Sequence, residues 1–464
     1  MKEPDRIVGF TELDGIKIPF ELMKDSFDLR LYNPTKQNAF EWLKNCFNRS
    51  KKHEWIKEVI IKGQTSEDFL IFLGTVDNPN NYNGFLTYHV NWYYIAKKDS
   101  GPIDEVRFFG RDIECFYNPI RAFKQEIVFK EDDTKVIESM SVQTKKDNEF
   151  YCGQFESKYG KIDVSCYAYA IMHFDSKSPL DSESRIKLKV PNTIGVEELI
   201  TLANNVRKLL VYVCYRSNIA FSNIMVFSTT TNGEKQEIGK LVFKDSKSNE
   251  NIDKAEKRII KAEYLQEYIS ELLSSIENNE MPYGHFCESI TDRSNYPISR
   301  IIMILAAFEG EFKRIYGGDA KRSQAYKDIK LEVVNLLEDY ANKHKGKKRK
   351  YIVSIAKGIK NSDLSYGDNL LYALEDCKEI MIPFVLKKYD GNYEDIINDV
   401  CTNINELRNS IAHCNLDFEL EARHLDDIKI VEEMIYVIRL HKLGIETKVI
   451  QRAIRDLFNE IIAI

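Results

Sequence analysis

No apolar run in this sequence approaches the roughly 20 residues that a membrane-spanning helix needs. The best candidates, 301–308 and 209–215, are closed by Arg300 and Glu309 and by Lys208 and Arg216, so both read as core segments. The opening MKEPDRIVGF lacks the apolar stretch behind a basic start that marks a secretory signal. The nine cysteines are odd in number and include no CxxC pair, which argues against a disulfide framework or a zinc knuckle. A soluble protein of the reducing cytoplasm is expected. HExxH, Walker-type and GxGxxG motifs are missing, which sets aside an ATPase or a kinase. His424 and His441 stand far apart without carboxylate or thiolate companions in sequence, so neither a metal nor a cofactor is expected. A basic surplus is also lacking: the net charge of −6 excludes a protein that coats nucleic acid nonspecifically, and any RNA contact must be local.

What is present is a folding composition, 43% hydrophobic and 11% aromatic over 464 residues, enough for two or three domains. The patterning predicts an α+β multidomain chain. Over 1–190 the apolar runs are short and β-branched or aromatic, as in 68–73, 84–95, 106–109 and 166–174, with turn residues between them; a β-rich N-terminal domain is expected. Over 191–292 a helix near 194–217, strands at 224–228 and 240–243 and a short helix at 263–276 continue that region as mixed α/β. From 293 to 464 the spacing is helical, with helices expected at 296–316, 322–343, 368–388, 393–413, 426–443 and 446–464, an all-α bundle.

One helix of that bundle carries chemistry. Ile397, Val400, Ile404, Leu407 and Ile411 form its core stripe, and at about 100° per residue Asn409 and His413 fall roughly 160° away from it. Arg408 lies about 60° from the stripe by the same count, with an arm long enough to reach the Asn409 face. An imidazole can take a proton from a ribose 2′-hydroxyl or give one to a leaving oxygen near neutral pH. Arginine can neutralise charge building on phosphoryl oxygens, and asparagine can orient either partner. The bland readings are a surface His413 favoured by the helix C-terminus and an Arg408 paired with Glu406 or Asp399. Lys347, Lys348, Arg349 and Lys350 belong to an acid-free run over 343–360, either a solvated interhelical loop or an RNA phosphate-binding surface to which Tyr351 adds stacking.

The segment Leu407-Arg408-Asn409-Ser410-Ile411-Ala412-His413 resembles the Arg-x4-6-His signature of HEPN domains. The layout, a β-rich region before such a domain, is similar to ApeA-type anti-phage proteins. The first resemblance covers roughly 293–464. It implies a helical bundle that forms a homodimer, or a higher homo-oligomer, in which two motifs meet in a composite, metal-independent endoribonuclease site with Arg408, Asn409 and His413 catalytic. It also implies an abortive-infection effector whose N-terminal region senses a phage-derived trigger or restrains the nuclease. The alternative is a catalytically inactive HEPN scaffold, an antitoxin-like dimerisation and binding module.

Overall fold

The computed structural model describes residues 5–13, 16–33, 59–75, 80–82, 85–98, 101–130, 133–145, 148–173, 180–244, 250–317, 324–360, 365–412 and 420–462. The chain divides into two compact units, Met1–Asn279 with Glu288–Ile290, and Glu280–Cys287 with Thr291–Ile464. Among the described residues no helix is long and apolar enough to cross a membrane.

The first unit is β-rich and begins with strands whose inward residues alternate. In β2 (Ile16–Met23) Ile18, Phe20 and Leu22 are buried, and in β3 (Asp28–Tyr32) Leu29 and Leu31 are. With β1 (Arg6–Leu13), β4 (Val59–Thr65), β5 (Leu70–Thr75) and β7 (Phe85–Ala96), they pair antiparallel in the ring β1-β2-β3-β7-β5-β4 and back to β1. Closing the ring leaves no edge strand to template aggregation. Its interior is one apolar cluster that includes Phe20, Leu22, Leu31, Ile71, Leu73, Leu86 and Val90. Gly74 is required where β5 crosses Trp92, because a Cβ there would run into the indole.

Strand β7 belongs to two sheets. Its first half pairs with β3 and with the short β6 (Asn80–Tyr82), while Trp92 to Ala96 pair with β15 (Lys235–Phe243). From β15 an antiparallel sheet continues through β14 (Asn223–Thr229), β8 (Ile103–Phe109), β13 (Leu180–Ile194) and β12 (Gly160–Met172) to β11 (Glu149–Ser157). A separate hairpin joins β9 (Phe123–Lys130) to β10 (Asp133–Thr144). Helix α1 (Val196–Cys214) buries one long apolar face, and α2 (Tyr268–Glu277) packs on it and on β11. The strands of the 191–292 segment thus complete the sheet that begins earlier in the chain.

The second unit is helical: α3 (Ile298–Tyr316), α4 (Gln324–Asn342), α5 (Gly346–Lys360), α6 (Tyr366–Asp376), α7 (Lys378–Lys388), α8 (Tyr393–Ala412), α9 (Ala422–Lys442) and α10 (Thr447–Phe458). Helix α9 is its axis, buried continuously from Ile430 to Leu440. A helix buried all round must pair its charges. Glu432 accepts from Arg300 at 2.9 Å and from the Tyr296 hydroxyl at 2.7 Å, Glu433 meets Lys388 at 2.6 Å, and Arg439 donates to Glu311 at 2.8 Å.

Two expectations about these helices need correction. The single helix expected over 368–388 breaks at Cys377, whose φ of −101° and ψ of 22° leave the α region. Pro383 stays inside α7 because the carbonyl its missing N–H frees, that of Glu379, accepts instead from the Gln451 side chain at 2.9 Å. The basic run is not a loop beyond Gly346. It forms α5, which packs on α4 as a helical hairpin.

Candidate functional site

Helix α8 starts at Asn392, whose side-chain oxygen accepts from the backbone N–H of Glu394 at 2.9 Å and of Asp395 at 3.3 Å. Glu394 and Asp395 in the first turn suit its positive end. Tyr393, Ile397, Val400, Cys401, Ile404 and Leu407 are buried, and Ile411 is half-buried. The helix packs on α6, α9, α7 and α3. The approach to α6 is close: a Cβ on Gly367 would stand 2.8 Å from the Cys401 carbonyl oxygen, and the Gly367 N–H donates to the Asn405 side chain at 3.4 Å.

Arg408 and Asn409 sit on the exposed side of this helix. Their side chains approach at 3.5 Å, Arg408 Nη1 to Asn409 Oδ1. The acid beside Arg408 is neither Glu406 nor Asp399. Asp399 is paired with Arg423 at 3.3 Å, and Arg408 Nη2 instead lies 3.9 Å from Glu309 Oε2 on α3. Both partners of that pair are about half exposed, 44% and 56%, so it holds the guanidinium only loosely.

Beneath them lies Tyr366 at the start of α6, its ring against Phe308 with centroids 5.4 Å apart. Its buried hydroxyl has no hydrogen-bond partner among the described residues. Burial pushes its pKa well above the usual tyrosine value; Glu309 adds to that rise and Arg408 opposes it. Arg408, Glu309 and Tyr366 therefore share one electrostatic neighbourhood. A phosphate arriving at Arg408 would meet a guanidinium that is exposed and weakly engaged.

No family model, no curated protein and no solved structure matches the chain. The reading of the site therefore rests on its own residues. His413, the third residue expected there, lies outside the described residues. Lys347, Lys348, Arg349 and Lys350 are exposed on α5, which is not among the helices on which α8 mainly packs. Lys348 stands over the Tyr340 ring at 5.6 Å. Glu309 and Tyr366 were not legible as site residues, because they come from helices remote in sequence and neither carries a spacing signal toward Arg408.

Proposed function

We propose that the helical unit is a HEPN-type, metal-independent endoribonuclease with Arg408, Asn409 and His413 in catalytic roles. The observation that carries this is the Arg408–Asn409 pair, exposed off a buried stripe and held, among the described residues, by no side chain closer than 3.5 Å. A guanidinium committed to structure would be locked in a short, buried pair, as Arg300 and Arg439 are. Arg408 neutralises the scissile phosphate, Asn409 orients it, and His413 moves the proton of the 2′-hydroxyl or of the leaving oxygen. Products carry 2′,3′-cyclic phosphate ends.

The motif supplies one histidine per chain and so one proton-transfer group, which means that acid and base come from two copies in a homodimer. Helix α3 supports such a contact: Ile298 and Ile302 are exposed, 63% and 44%, on the helix that brings Glu309 to Arg408. The β-rich unit senses a trigger, a phage component, and the protein acts in the cytoplasm as an abortive-infection effector. Glu309 favours a second reading, an inactive scaffold, since its carboxylate competes for the guanidinium that a phosphate needs.

The two readings separate on incubation of the full chain with mixed RNA in EDTA. Cleavage that disappears in His413→Ala and Arg408→Ala, with both variants folded, supports the nuclease. Absence of cutting at high protein concentration under every trigger tried leaves the scaffold. In a tagged heterodimer of parent and His413→Ala chains, a composite site gives much less than half the parent's activity, whereas activity near half refutes sharing.

A further inference from the structure

The helix break at Cys377 brings together three ligating side chains that are remote or inconspicuous in sequence. Asp376 ends α6, Cys377 links it to α7, and His441 lies in the last turn of α9. One carboxylate oxygen, the Sγ and one imidazole nitrogen all lie within 4.8 Å of one another. We propose that these three residues form a binding site for a single zinc-class transition-metal ion, separate from the Arg408 site and independent of the ribonuclease reading.

The donor set argues for that class of ion. Thiolate, imidazole and carboxylate together suit a borderline-soft ion at bond lengths of about 2.0 to 2.3 Å, whereas calcium and magnesium take oxygen ligands. Around a tetrahedral ion with such bonds the donor atoms stand about 3.5 Å apart, so side-chain adjustments of about 1 Å close the site. Cys377 is almost fully buried at 1% exposed, while Asp376 and His441 are exposed, which gives the ion a fixed anchor and an entry path.

Two further features favour a cation here. Asp376 and His441 both stand at helix C-termini, where the helix dipole concentrates partial negative charge. The Tyr316 hydroxyl donates to Asp376 Oδ2 at 2.7 Å and lies 3.9 Å from Cys377 Sγ. It fixes the carboxylate while leaving the other oxygen for an ion, the kind of support that ligating carboxylates ordinarily have. Tyr316 is itself set by ring contacts with Phe312 at 4.9 Å and Tyr372 at 5.4 Å. Three protein ligands leave a fourth position for water. On binding, the Cys377 thiol gives its proton to solvent and its sulfur bonds the ion, with no change of oxidation state. The bound ion clamps the α6–α7 junction to the end of α9.

The test uses the full chain stripped with chelator, then titrated with Zn2+ and, for its spectrum, Co2+. One equivalent of ion should bind with proton release, and Co2+ should give the intense visible bands of a tetrahedral site and a thiolate charge-transfer band. Cys377→Ser should remove the charge-transfer band. His441→Ala, a surface change that leaves the helix intact by circular dichroism, should weaken binding by more than the roughly 10- to 100-fold that losing a supporting group costs, and Tyr316→Phe should fall within that range. Failure to bind one equivalent overturns the proposal. So does a Co2+ spectrum that survives Cys377→Ser or His441→Ala unchanged.

Discussion

Glu433 sets a pH dependence that one substitution should erase. Its side chain is 1% exposed, Oε1 lies 2.6 Å from Lys388 Nζ, and Oε2 has no hydrogen-bond partner among the described residues. Lys388 also faces Glu460 at 3.4 Å, and Glu460 has a second ammonium in Lys387 at 2.5 Å. Burial therefore acts hardest on Glu433, lifting its pKa from 4.5 to about 7 against the pull of Lys388. Between those values the folded chain holds a proton that the unfolded chain has released. The stabilisation is complete below about 4.5 and lost as pH rises through about 7, a difference of about 2 to 3 kcal/mol between roughly pH 5 and pH 8. Glu433→Gln keeps the volume and removes the titration, so its helical unit should lose that slope, while titrating groups outside the Glu433–Lys388–Glu460 cluster contribute equally to both proteins. Urea unfolding followed by far-ultraviolet circular dichroism reports the helices. Fluorescence serves as an internal control, since Trp92 lies in the β-rich unit and the sequence from 280 onward contains no tryptophan. A variant that keeps the parent's slope, or a parent whose helices gain stability as pH rises through this window, would refute the argument.

Other substitutions probe the packing and the basic helix. Leu407→Ala, at a fully buried position, should cost 2 to 5 kcal/mol, and Asn409→Ala on the same helix about 0.5 or less; equal losses in denaturant titrations would contradict the assigned faces. Gly367→Ala should destabilise by about 1 to 3 kcal/mol, because the obstacle at 2.8 Å is a backbone carbonyl that cannot rotate away. A neutral melting shift would mean that α6 and α8 stand farther apart. Replacing Lys347, Lys348, Arg349 and Lys350 with Ser should weaken RNA binding and flatten its salt dependence, as each lost phosphate contact removes counterion release. Unchanged affinity across a salt series would make α5 only a solvated face.

Much of the architecture was legible where one periodicity ran unopposed. The α8 stripe was readable because Ile397, Val400, Ile404 and Leu407 recur at helical steps, and β7 and β8 because aromatic and β-branched residues dominate them. Hairpin β9–β10 gave a weaker signal, since Ile127, Val128, Met140 and Val142 are all exposed and no face alternates with a core. The break at Cys377 carried no Gly or Pro to announce it. The ring closure, the Glu309–Arg408 pair and the Asp376–Cys377–His441 cluster depend on contacts between remote segments, which local spacing does not encode. In the candidate site the outward placement of Asn409 followed from helical phase, which put Arg408 only at the flank of the stripe, where the structure leaves it exposed. The identity of the acid beside Arg408 did not follow from it.

The double membership of β7 bears on how the β-rich unit opens. From Trp92 to Ala96 the strand is flanked by β5 on one edge and β15 on the other, so its amides lie inside a ladder whichever way the sheet frays. Separating the closed ring from the open sheet would require breaking one of those ladders along its whole length, so the two should exchange hydrogen as a single cooperative block. The pairings that build this block also join segments far apart in sequence, β7 with β3 and β5 before it and with β15 long after it. Loop closure of that range must precede any reward in contacts, which places the unit among slow folders whose assembly waits on the last strand to arrive.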